Sequence, residues 1–241
     1  MDTPTPGSLE ALIEKALPLS RYARRLTETD PAAFDRLRET LFTPWDAAAM
    51  QAVLDGCAID DEATLKKALR VLRKQVMLRL IVRDLAGLAD LREVMTTATL
   101  LAEVATRFAL SRIDGWLRSQ YGPPIGEESG DEQDLVVVGM GKLGGGELNV
   151  SSDIDLIFAY PEEGETTGPR KTSNHEYFAL LGKKLIGALN EATADGFVFR
   201  VDMRLRPYGD SGPLVGSFSM LENYYLTQGR EWERYAWIKG R

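Results

Sequence analysis

Two acids, Asp153 and Asp155, form D-x-D at the head of the apolar run "DIDLIFAY", and a glycine-rich stretch, "VVVGMGKLGGGEL", lies just upstream. Side chains alternate across a strand, so acids at i and i+2 share one face while Ile154, Leu156 and Phe158 point to the core. Two like charges on one face are costly unless a cation sits between them. The same alternation in "FVFRVDMRLRP" sets Arg200, Asp202, Arg204 and Arg206 against Phe199, Val201, Met203 and Leu205. A third carboxylate thus arrives on a strand carrying cations suited to phosphate oxygens. Three acids holding two magnesium ions, with a glycine loop for phosphates, are what in-line transfer at phosphorus requires.

A competing pattern occupies the same loop. Gly139, Gly141 and Gly144 spell G-x-G-x-x-G, the mark of a dinucleotide site. That fold needs several helical turns after the glycines and an acid about 20 residues on, at the far end of the next strand. Only eight residues separate Gly144 from Asp153, and both acids stand at the start of the strand. The plainest alternative to chemistry is that Ser152 and Asp153 form a turn or cap and that the later strand is an amphipathic edge.

The elements that must position these residues divide the chain by texture. Residues 1–120 read as helices: Leu65, Leu69, Leu72 and Val76 recur at helical spacing, as do Leu91, Val94, Ala98, Leu101, Ala105 and Phe108. Arg70, Arg73, Lys74, Arg79 and Arg83 read as a solvated face of that region. Residues 121–133, "YGPPIGEESGDEQ", read as a linker or surface loop, and 134–241 as a mixed catalytic domain. Within it Ser173 and Glu176 form a capping box opening a helix to about Ala194. Ser219 and Glu222 suggest another cap, with helix from there to the last residue. Trp232, Tyr235 and Trp237 read as core or domain contacts, and His175 as structural. The expected class is α+β, a helical N-terminal region with a small mixed sheet, in a chain that reads as a fragment of something longer.

Composition bounds the chemistry. The 241 residues are 44% hydrophobic and carry a formal charge of -7, which argues against a protein coated for duplex nucleic acid. No apolar run approaches the roughly 18 residues of a membrane span, and "MDTPTPGSLE" lacks the basic flank and apolar core of a targeting signal. The expectation is a cytoplasmic protein without membrane or nucleic-acid partners. Cys57 and His175 are the only residues of their kinds, which removes disulfides, cysteine-based zinc clusters and His-rich metal sites.

A glycine, a small residue, about ten residues, then D-x-D and a later acidic strand resemble the nucleotidyltransferases related to polymerase beta, with Lys142 where most members have serine. More narrowly, "GMGKLGGGELNVSSDIDLIF", "VDMRLRPYGDSGPLV" and "QGREWERYA" resemble the glutamine synthetase adenylyltransferase family over residues 134–241. The wording of the motifs resembles the adenylyl-removing half rather than the adenylylating half. The resemblance implies a polymerase-beta-like catalytic domain and phosphorolysis: phosphate attacks the AMP phosphorus on a tyrosine of glutamine synthetase, and ADP leaves. The alternatives are transfer from ATP to tyrosine and a non-catalytic nucleotide-binding regulatory module. It implies that Asp153 and Asp155 ligate two magnesium ions, replaceable by manganese, and that Asp202 completes one site. Gly139, Gly141, Gly144 and Gly145 would admit phosphate oxygens, Lys142, Arg204 and Arg206 would neutralise them, and Ser152 would fix the turn. Glutamine synthetase, phosphate, ADP and ATP are the implied partners, with the PII signalling protein and glutamine as regulators of the full-length enzyme.

Overall fold

The computed structural model describes residues 6–241; the first five, part of the stretch read above as lacking a targeting signal, lie outside them. The architecture is α+β, a helical N-terminal region followed by a small mixed sheet. Two compact units divide the chain. One takes in the chain up to Val104 with Leu148–Ser151; the other comprises Ala105–Glu147 and Ser152–Arg241.

The first unit contains helices α1 (Pro6–Ala16), α2 (Arg21–Thr29), α3 (Pro31–Thr40), α4 (Ala47–Asp55) and α5 (Glu62–Leu85). Their starts are chemically marked: the side chains of Ser20, Asp30, Asp46 and Asp61 each accept a hydrogen bond from an N–H of the first turn. Helix α5 is central, touching each of the other four. Its Leu65, Leu69, Leu72 and Val76 are buried, as their spacing predicts. The same position changes the fate of its arginines. Arg70, Arg79 and Arg83 are buried rather than solvated. Arg79 donates to the Thr43 carbonyl and lies 4.0 Å over the Trp45 ring; Arg83 donates to the Leu41 carbonyl and to both oxygens of Glu93. Carbonyls left over past the end of α3 thus find donors on the neighbouring helix. Cys57 is half-buried, its thiol directed at the Val53 carbonyl.

Helix α6 (Leu91–Tyr121) runs from the first unit into the second. Val94, Ala98, Leu101, Ala105 and Phe108 are buried along it, whereas Leu91, at its first position, is exposed. The second unit then adds β1 (Pro124–Gly126), β2 (Val136–Met140), the single turn α7 (Gly141–Gly144), β3 (Ile154–Tyr160), β4 (Gly164–Thr166), α8 (Asn174–Asn190), β5 (Val201–Asp202), β6 (Val215–Ser217), α9 (Phe218–Thr227) and α10 (Glu231–Ala236). The 121–133 stretch, read as linker or loop, contains β1, which pairs antiparallel with β4.

The site depends on the four-stranded sheet. β3 is paired antiparallel with β2 and parallel with β5 and β6. Leu156 and Phe158 point to one face, where α8 approaches so closely that a Cβ on Gly182 would strike the Phe158 ring at 2.8 Å. Met140, Ile157 and Ala159 lie on the other and pack against Leu221 of α9. Ser173 caps α8 with the reciprocal Glu176 bond, as expected, and the helix closes at Asn190. Helix α9 is capped by Ser217 rather than by Ser219, and the segment expected to be helical to the end breaks at residues 228–230. Trp237 packs on the core, while Trp232 and Tyr235 of α10 are exposed. The His175 ring sits 3.3 Å from the Tyr160 hydroxyl. Among the described residues no helix is long and apolar enough to cross a membrane.

The buried arginine of α5 gives a first test. Arg83→Met should strand the Glu93 carboxylate and the Leu41 carbonyl, lowering the stability of the first unit by about 3 kcal/mol. Urea unfolding followed by circular dichroism measures it; a change within the range of ordinary surface substitutions would assign Arg83 a solvated role.

Candidate active site

β3 opens with Asp155 directly across from Asp202 of β5 in a parallel ladder, with Ile154 opposite Val201. The register therefore puts the two carboxylates side by side on one face. Asp153 precedes the strand by one residue, and the alternation expected from the sequence holds: Ile154, Leu156 and Phe158 are buried while Asp153 is exposed and Asp155 half-buried.

The glycine loop turns at the end of β2 so that backbone meets this cluster. Gly141 has φ +54, and a Cβ there would lie 2.8 Å from Asp155 Oδ2. Only glycine permits both the left-handed turn and that approach. Gly144 serves a different contact: a Cβ on it would run into the carbonyls of Lys239 and Gly139. The amides of Gly139 and Gly145 are already donated, to the carbonyls of Arg241 (2.8 Å) and Gly141 (3.0 Å). Of the four glycines singled out in the sequence, Gly141 is the one set against the Asp155 carboxylate. Lys142 is exposed beside it, close enough to favour the ionised form of Asp155. Ser152 is half-buried at the entry to β3.

The strand expected over "FVFRVDMRLRP" lasts two residues. Asp202 Oδ1 accepts the Arg204 backbone N–H at 2.9 Å, a side-chain turn that pulls the chain out of the ladder. Arg204 Nε also bonds both Asp202 oxygens, at 3.0 and 2.9 Å. Arg206 takes another course. Its guanidinium is turned inward, donating to the Met203 carbonyl at 2.8 Å, so it fastens the loop after β5 rather than facing solvent beside the acids. That loop carries Tyr208 at φ 61, an unusual conformation for a bulky residue, held by edge contact with the Tyr224 ring at 4.5 Å.

Arg200 is the residue that sequence reasoning placed on the acidic face without giving it a task. Its Nε donates to Asp153 Oδ1 at 2.5 Å. The signal was legible in the alternation that put Arg200 and Asp202 together; the contact to Asp153, 47 positions away, was not. Asp153 and Asp202 thus each hold an arginine.

Electrostatics separate the three acids. Burial, then the Asp202 and Asp153 charges, push the Asp155 carboxyl above the usual carboxylate range. The hydrogen bond from Arg204 holds Asp202 below it. Among the described residues no three His, Cys, Asp or Glu side chains converge as a ready-made metal cage. The donor set itself is all carboxylate oxygen, which suits a hard divalent cation, and relief of the repulsion around Asp155 is what such a cation supplies. Toward the other end of the same sheet face an open groove of about 570 Å³ is lined mainly by apolar side chains, among them Val138, Leu221 and Trp237, with Glu222 and Arg234; it contains none of Asp153, Asp155 and Asp202.

A raised folded-state pKa means that Asp155 supports folding at acid pH and that this support is lost as pH rises through its folded value. Asp202, depressed, acts oppositely: its support is present above its unfolded value and lost as pH falls through the folded one. Asp155→Asn should therefore raise the melting temperature of the metal-free chain at neutral pH, and Asp202→Asn should lower it. Gly141→Val should destabilise by about 2 kcal/mol, because it adds a branched side chain at positive φ against a carboxylate, whereas Lys142→Ala should stay within about 0.5 kcal/mol. Thermal melts from pH 4 to 8 check all four; equal losses for Gly141→Val and Lys142→Ala would make Lys142 a packing residue.

Residues 10–241 match the family described as GlnE, glutamate-ammonia ligase adenylyltransferase. Proteins named bifunctional glutamine synthetase adenylyltransferase/adenylyl-removing enzyme are among the relatives. That of Chromobacterium violaceum is 59% identical over 236 residues, 98% of this chain and 26% of its own length. The Nitrosomonas eutropha protein is 53% identical over 246 residues, 100% of this chain and 26% of its own length. The protein of Neisseria meningitidis serogroup B is 56% identical over 211 residues, 88% of this chain and 24% of its own. The chain thus spans about a quarter of the length of the curated relatives it matches. With a family match over residues 10–241, nearly the whole chain, the chain belongs to the glutamate-ammonia ligase adenylyltransferase family.

Proposed function

We propose that this chain is the adenylyl-removing half of a bifunctional enzyme acting on glutamine synthetase, and that it transfers AMP from an adenylylated tyrosine to phosphate. The observation that carries the reading is the cross-strand pair of Asp155 and Asp202 with the Gly141 backbone against it. A pair of adjacent carboxylates beside an open backbone turn is suited to nucleotidyl transfer, and residues 10–241 match the family for which that activity is named.

In this reading Asp153, Asp155 and Asp202 hold magnesium ions, with manganese able to substitute. When bound, such ions would supply positive charge to the phosphoryl oxygens. The chain's own residues do the rest. A phosphate nucleophile is a dianion that bare carboxylates would repel; Lys142 and Arg204, both exposed at the acid cluster, offset that charge. Arg206 fixes the loop that carries Arg204, Gly141 brings the main chain up to the reacting group, and Ser152 sets the entry of β3. Residues 134–241 form the catalytic part, which the helical region and the connecting 121–133 segment precede in the chain. Glutamine synthetase, phosphate and the adenine nucleotides are the partners; control by glutamine and the PII signalling protein belongs to the full-length enzyme, which we place in the cytoplasm.

Adenylylated glutamine synthetase incubated with the chain, magnesium and radiolabelled phosphate should release labelled ADP. Asp155→Asn should lower that turnover by about two orders of magnitude or more while leaving the circular dichroism spectrum unchanged, because an amide cannot replace a bridging carboxylate. Unlabelled AMP as the main product would mean hydrolysis, and net transfer from ATP to tyrosine would assign the opposite direction. Magnesium-dependent nucleotide binding without turnover would leave a regulatory module.

A further inference from the structure

Two of the three acids are occupied by guanidinium groups, and the manner of occupation is informative. Asp153 and Arg200 are both about half exposed, at 48% and 57% of their side-chain surface, yet joined by a 2.5 Å bond. The Arg200 main chain is fixed, its carbonyl accepting the Ile154 N–H at 2.9 Å, so the guanidinium is delivered to Asp153 from an anchored base. Its carbon also lies 5.9 Å from the Phe197 ring centre, a second resting surface within reach. Arg204, with 71% of its side chain exposed, engages Asp202, whose side chain is only 18% exposed, so Asp153–Arg200 is the more open of the two pairs. Asp155, between them, feels both neighbouring carboxylates and carries the raised proton affinity of the three.

A carboxylate lone pair directed at a guanidinium is not available to a metal ion. Exposed pairs of this kind are weak enough to be exchanged, contributing about 0–1 kcal/mol. The charge balance also favours exchange: three carboxylates against Arg200, Arg204 and Lys142 nearly cancel, so the cluster without metal is close to neutral and has little attraction for a phosphate dianion. Divalent cations bound at carboxylate oxygens that the arginines release would turn the cluster positive.

We propose that Arg200 and Arg204 are exchangeable counter-ions, which hold Asp153 and Asp202 in place in the metal-free chain and compete with the divalent cation for those two carboxylates. The proposal rests on the nucleotidyl-transfer reading of this site and adds to it a task for Arg200 as a positioning residue. It requires that removing the arginine strengthen metal binding, whereas a merely structural role predicts no change or a loss.

Manganese binding to the 241-residue chain, measured by the electron paramagnetic resonance of free Mn²⁺ at low ionic strength, tests this. Arg200→Gln should bind Mn²⁺ about three- to tenfold more tightly than the unmodified chain, and Arg200→Lys, which keeps the charge but loses the fork, should fall between them. Lys142→Gln removes an equal charge beside Asp155 without freeing a carboxylate, so its affinity should change by less than about twofold. An Arg200→Gln affinity equal to or below the unmodified chain's overturns the proposal, as does an equal gain in Lys142→Gln, which would reduce the effect to net charge. Asp155→Asn separates the two levels of the argument. If the unmodified chain binds Mn²⁺, Asp155→Asn loses it and Arg200→Gln is unchanged, the counter-ion role falls while the metal site stands; if the unmodified chain binds no Mn²⁺ up to millimolar concentration, both fall.

Discussion

Mutual repulsion among three carboxylates organises the second unit. Asp155 and Asp202 are forced together by the parallel register of β3 and β5, and Asp153 adds a third negative charge at the strand entrance. Such an arrangement disfavours folding unless counter-charge is at hand. The chain meets the demand locally: Arg200 and Arg204 come from the residues flanking Asp202, so the short strand that delivers the third acid also delivers the cations that make it tolerable.

The surrounding structure can be read as support for that one cluster. β3 is buried on both faces, with α8 over one and α9 over the other, which fixes Asp155 at its start. The α7 turn is pinned by Gly144 against the Lys239 carbonyl and by the reciprocal main-chain pair of Gly139 with Arg241, and this holds Gly141 at the Asp155 carboxylate. The loop after β5 is held by the inward Arg206 and by the edge contact of Tyr208 with Tyr224. Rigid elements positioned by apolar packing thus present a site whose own groups are polar and partly open.

Much of this was legible before any coordinates. The D-x-D spacing, strand alternation and short interval after Gly144 singled out the acids, weighed against a dinucleotide fold and marked the glycine turn, because these depend on local periodicity. Where the reading failed, the cause was a contact that periodicity does not contain. The expected strand over 197–207 collapsed to two residues because the Asp202 side chain captured the Arg204 amide. The arginines of α5 went inside because that helix is surrounded by others whose ends present carbonyls.

The sequence by itself determined which side chains could do chemistry and which faces they share, since the two-residue period of a strand and the three-to-four-residue period of a helix are properties of the backbone alone. The tertiary structure alone decided which charges meet. Arg200 and Asp153 are 47 residues apart, Asp155 and Asp202 face each other through strand register, and Arg206 is tied to the Met203 carbonyl while its charge still reaches Asp202. Pairings of that range are set by how apolar faces pack and which carbonyls they leave unpaired, and no spacing along the chain encodes them.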